Sequence, residues 1–119
     1  MILLRNEQMT LFRRVFLREH FIKVVIRQLM ELGYICGDGN EQCIAQIDPE
    51  LKMQLLHDLF VADEHGVRSE DGYIQFAGYR FEFGDDWQQW DKATTVLSEK
   101  CSDEENFLSS IYKTLTSVD

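Results

Sequence analysis

The chain has 119 residues, with 12 Lys and Arg against 21 Asp and Glu and a formal net charge of −9. That length leaves too little core for two domains, so residues 1–119 are expected to fold as a single domain. Hydrophobic residues at 45% and aromatics at 12% are ordinary for a globular protein and exclude a wholly disordered chain.

Residues 7–32 read as the first helix. Good helix formers dominate, neither Gly nor Pro interrupts, and Gly33 stands where a left-handed cap belongs. Leu11, Val15, Ile22, Ile26 and Leu29 share one side at helical spacing, while Leu17, Phe21 and Val24 project from the opposite side. A helix apolar on several faces lies centrally in a core or buries one face against another chain. The other expectation is a break near Glu19-His20 into two shorter helices. The stretch Leu11 to Leu32 is the most apolar in the chain, yet Arg13, Arg14, Arg18, Glu19, Lys23, Arg27 and Glu31 interrupt it. A membrane span needs about 20 nearly uncharged apolar residues. The opening Met1-Ile2-Leu3-Leu4 ends at Arg5, too short for a signal peptide. A cytoplasmic location is expected.

Residues 34–48 read as loop with a short strand at Ile44 to Ile47. The second helix has a clear start: Asp48 as N-cap, Pro49 in the first helical position and Glu50 at the positive end of the dipole. Leu51, Leu55, Leu56, Leu59 and Phe60 form its apolar face, and Gly66 ends it. From Val67 to Phe83 the period switches to two, with Tyr79, Phe81 and Phe83 alternating with Arg80 and Glu82. Glu70-Asp71-Gly72 and Ala77-Gly78 read as turns, which gives a small antiparallel meander of two or three strands. A third helix then runs from Asp85 or Asp86 through Glu99, with Trp87, Trp90, Thr94 and Leu97 on one face. Ser102 and Glu105 have the spacing of a capping box for a fourth helix, whose stripe is Phe107, Leu108, Ile111, Tyr112 and Leu115. The fold class is therefore α+β: about four helices, with a β-meander between the second and third.

The three cysteines, Cys36, Cys43 and Cys101, are an odd number and argue against a disulfide framework. Six residues separate Cys36 from Cys43, too many for a usual zinc pair; reduced thiols are expected, with a reversible Cys36–Cys43 bridge as the intermediate reading. His20, His57 and His65 make no i, i+4 pair and no His-Glu-x-x-His pattern. Phosphate-loop, Gly-x-Ser-x-Gly and calcium-loop patterns are missing too. No catalytic residue, metal site or cofactor is expected.

Charge is divided unevenly. Through Gly33 there are six bases and three acids, a net of +3; the remainder holds six bases and 18 acids, a net of −12. The bases of the first helix are spread around its cylinder, which suits neither a membrane surface nor a nucleic acid. An acidic surface attracts basic proteins and repels phosphate. Asp63, Glu64, Asp85, Asp86, Asp91, Asp103 and Glu104, together with Trp87 and Trp90, are the candidate partner-binding residues, because an aromatic beside acids suits an interface anchor for a basic partner. The expected function is a small acidic protein-binding module, in the manner of an inhibitor or immunity protein that occludes the basic surface of a nuclease or toxin. Two alternatives stand beside it: a dimeric secretion chaperone or adaptor joined through the first helix, and a small enzyme or metal protein that uses Cys and His.

Overall fold

A computed structural model describes residues 12–99 and 103–116. Among these there are six α-helices and no strand. Their contacts form two compact units, one of residues up to Phe60 and one from Val61 onward.

In the first unit, α1 is helical from residue 12 and has its main part at Ile22–Glu31. It does not break near Glu19-His20. Instead, Leu17–Phe21 forms a π-helical turn in which the Ile22 N–H reaches the Leu17 carbonyl, five residues back. This wider turn corrects the expected division of faces. It rotates Leu17 and Phe21 onto the side of Ile22, Val25, Ile26 and Leu29, and all six are buried. Val15 and Phe16 are left exposed. Gly33 ends α1 as expected, with φ at 86° and its N–H on the Met30 carbonyl. Residues 7–11 lie outside the described residues.

The strand expected at Ile44 to Ile47 is not formed. Asp38 Oδ1 accepts the Asn40 N–H at 3.0 Å, and Asn40 Oδ1 accepts the Cys43 N–H at 2.8 Å. These local bonds start a short helix, α2 (Glu41–Ala45), which buries Ile44. The third helix, α3 (Pro49–Glu64), starts as the sequence indicates, with the Glu50 N–H on Asp48 Oδ1 at 3.0 Å. Leu55 and Leu59 on its apolar face are fully buried. Gly66, with φ at 96°, follows its end.

The second unit overturns the β-meander. Residues Glu70–Phe83 form α4, so the fold is all-helical among the described residues, not α+β. The apparent period of two has a physical reason. Tyr73, Phe76, Ala77, Tyr79 and Arg80 are buried and Phe81 and Phe83 half-buried, so the helix is enclosed around much of its girth and loses a one-sided stripe. The supposed turn at Glu70-Asp71-Gly72 is a helix start, where Ser69 Oγ accepts the Gly72 N–H at 3.0 Å.

The expected helix from Asp85 to Glu99 is two elements. Gly84, with φ at 128°, precedes a 3₁₀ turn at Trp87–Gln89. Trp90 is extended, and α5 follows at Asp91–Ser98. The two indoles therefore do not share a helix face, and Ala93 and Val96 are the residues α5 buries. The last helix, α6 (Glu104–Thr116), buries Phe107, Leu108 and Ile111. Its cap is Asp103, whose Oδ1 accepts the Asn106 N–H at 2.7 Å; Ser102 lies outside the described residues. In the core of this unit Trp87 meets Phe76 edge-on at 5.3 Å and Tyr79 at 5.8 Å. His65 stacks on Phe107 and sets its two ring nitrogens against the Val61 and Leu97 carbonyls at 2.8 and 2.7 Å. No helix among the described residues is long and apolar enough to cross a membrane.

Candidate functional site

The acidic candidates separate into an internal group and an exposed group. The internal group surrounds the segment Arg68-Ser69 before α4. The Asp63 carboxylate is 2% exposed and sits 3.0 Å from the Arg68 guanidinium. The Tyr73 hydroxyl donates to it at 3.2 Å. Burial, and then the negative charge of Asp63, push the Tyr73 phenol up to about 12. Glu104 Oε1 accepts the backbone N–H of Arg68 and that of Ser69 at 2.8 Å, while Oε2 accepts the Ser69 hydroxyl. Partial burial opposes the charged form of Glu104, but the bonds from Ser69 and Arg68 outweigh it and hold its carboxyl below the ordinary glutamate value. Asp103 caps α6. These carboxylates are engaged in holding the second unit together.

The exposed group lies between α4 and α5. Trp90 is 36% exposed, and its indole N–H donates to Asp86 Oδ1 at 3.2 Å. The ring lies beside Gly84, where an added Cβ would stand 3.8 Å from Trp90 Cζ2. Asp85 is 77% exposed at its side chain and meets the Arg80 guanidinium, itself buried, at 3.3 Å. Asp86 and Asp91 are exposed as well. Arg80 thus supports Asp85 from beneath, and Asp86 restrains the edge of an open indole. Three carboxylates and one partly exposed indole thus fall within seven residues of chain.

The structure places the other partner-binding candidates as follows. Trp87 is fully buried and has no face to offer a partner. Asp63 is enclosed by the Arg68 guanidinium and the Tyr73 phenol. Glu104 is committed to the Arg68-Ser69 backbone. Glu64 is exposed at the end of α3, and Asp103 is exposed but serves as a cap.

Cys36 and Cys43 are free thiols, and Cys101 lies outside the described residues. Among the described residues no group of three or more His, Cys, Asp or Glu is arranged to hold a metal ion. A concavity of about 600 Å³ in the first unit went unread in the sequence; it is bordered by Lys23 and Arg27 of α1 and Lys52 of α3. Its signal was the i, i+4 pair Lys23 and Arg27, whose relation to Lys52 depends on how the helices pack.

Compared with known proteins, the chain matches no family model, and no curated protein or solved structure is detectably similar to it.

Proposed function

We propose that the chain is a non-catalytic, acidic protein-binding module that receives a basic partner protein, in the manner of an inhibitor or immunity protein. The observation that carries this reading is the partly exposed Trp90 indole, bonded to Asp86 and flanked along the chain by the exposed Asp85 and Asp91. The net charge of −9 supports it, since a charge of this sign speeds encounter with a cationic surface. An indole that is already oriented loses little side-chain freedom on binding and can anchor the complex. Occlusion of a basic channel on the partner is then steric and electrostatic.

The test is affinity capture from the native cell with the wild-type chain and with a variant carrying Asp85→Asn, Asp86→Asn, Asp91→Asn and Trp90→Ala. A basic protein retained by the wild type, released by salt and lost with the variant supports the reading. Retention of no basic protein, or binding indifferent to ionic strength, refutes it.

The exposure of Phe12, Val15 and Phe16 on α1 favours one second reading, a homodimer through this helix as in a chaperone or adaptor. Sedimentation that shows a strict monomer at high concentration removes it.

A further inference from the structure

The concavity in the first unit has a charge opposite to that of the chain. Lys23, Arg27 and Lys52 stand around it against one acid, Glu41. Its wall between these charges is apolar, formed by Ile26, Ile44 and Ile47, of which Ile26 and Ile44 are buried. Arg27 is positioned rather than free to sweep: its Nε donates to the Gly39 carbonyl at 3.3 Å. Gly39 permits this close approach, because a Cβ there would stand 3.3 Å from Arg27 Cγ. Among the described residues Lys23 and Lys52 form no ion pair.

Three cations around an aliphatic wall match a molecule with an anionic head and a short hydrocarbon body. A phosphate ion alone leaves the apolar part of the lining, half-buried Ile47 with exposed Ala45 and Pro49, uncovered, and a neutral hydrocarbon leaves the ammonium groups without a partner. The volume falls in the range of small-molecule sites, about 300–1,000 Å³. We infer that this concavity binds a small amphipathic carboxylate, its head between Lys23, Arg27 and Lys52 and its chain against the apolar lining around Ile47. The site lies wholly within the first unit and is independent of the acidic surface around Trp90.

The experiment titrates the full-length chain with decanoate below its micelle concentration, followed by calorimetry and by amide NMR shifts. Saturable binding to one site is expected, with shifts centred on the lining around Ile47. Decanol and inorganic phosphate should each bind about tenfold more weakly or not at all, since each lacks one half of the match. Lys23→Gln with Lys52→Gln should weaken decanoate by about fivefold to tenfold. Both lysines are exposed, and circular dichroism checks that this variant is folded. Glu41→Gln removes the one acid at the rim and should tighten binding by about twofold to fivefold, a gain that loss of folding cannot imitate. Decanol binding as well as decanoate overturns the inference, as does a Glu41→Gln variant no tighter than wild type. Non-saturating binding, or shifts centred in the second unit, also overturn it.

Discussion

The carboxylate of Glu104 holds the start of α4 from the first turn of α6, and its removal should cost the second unit about 2 kcal/mol. It accepts three hydrogen bonds, from the Arg68 N–H, the Ser69 N–H and the Ser69 hydroxyl. A hydrogen bond contributes about 0.5–1.5 kcal/mol net and more to a charged acceptor. Water reaches this partly open site and competes, so the lower half of that range applies to each bond, giving the ~2 kcal/mol for Glu104→Ala. The midpoint of thermal unfolding should fall by on the order of 10 °C. Glu104→Gln keeps one acceptor oxygen for the two backbone donors and should cost about 1 kcal/mol. Gly72 gives an independent handle. A Cβ there would stand 2.8 Å from Glu104 Cδ and 2.9 Å from both Glu104 Oε2 and Ser69 Oγ. Ala is favoured over Gly within a helix by about 0.8 kcal/mol, yet Gly72→Ala should destabilise the wild type by displacing the carboxylate. With Glu104→Ala already present the carboxylate is gone and only the Ser69 hydroxyl has to give way, so Gly72→Ala should be much less harmful. Urea unfolding followed by Trp fluorescence measures the double-mutant cycle, with an expected coupling of about 1 kcal/mol or more. Strictly additive effects would refute the reasoning. The sign of the pH effect follows from the lowered carboxyl value. The stabilisation from Glu104 is complete above its unfolded value and is lost as pH falls through the lower, folded one.

Tyr73→Phe should reduce sensitivity to alkali. The folded phenol lies at about 12, above its unfolded value, so its stabilisation is complete below pH 10 and is lost as pH rises toward 12; equal losses over pH 9.5–11.5 in variant and wild type would count against this. Trp87→Phe should stay within about 1 kcal/mol of wild type, because the cavity is offset by deletion of an indole N–H that has no hydrogen-bond partner among the described residues. Trp87→Ala should cost about 3–5 kcal/mol, and chemical unfolding distinguishes the two. Gly37→Ala should destabilise the first unit by more than about 1 kcal/mol, since φ there is 151° and a Cβ would stand 2.7 Å from Met30 Sδ; a neutral change in thermal midpoint would contradict it.

The sequence determined by itself the features that depend on neighbours along the chain. Asp48 and Pro49 start α3, and Gly33 and Gly66 end helices, because a cap bonds to backbone within three or four residues and a glycine needs only its own φ. The same local signal stood at Ser69-Glu70-Asp71, an N-cap followed by two acids, but the alternation of Tyr79, Phe81 and Phe83 concealed it. Tertiary structure alone decided that α4 is enclosed on several sides. An enclosed helix and a strand both carry apolar residues at alternate positions, and only the packing around them breaks the tie. The π turn at Leu17–Phe21 likewise chose which side of α1 became core. Packing separated Trp87 from Trp90, three residues apart, into a buried indole and an open one. It also took Asp63 and Glu104 inward, through contacts from Asp63 to Tyr73, 10 residues on, and from Glu104 to Ser69, 35 residues back. Charge is a property of the chain, whereas the direction a charge faces is set by what packs beneath it. Negative charge was therefore legible in the sequence, and which carboxylates stand exposed near Trp90 became legible only in the fold.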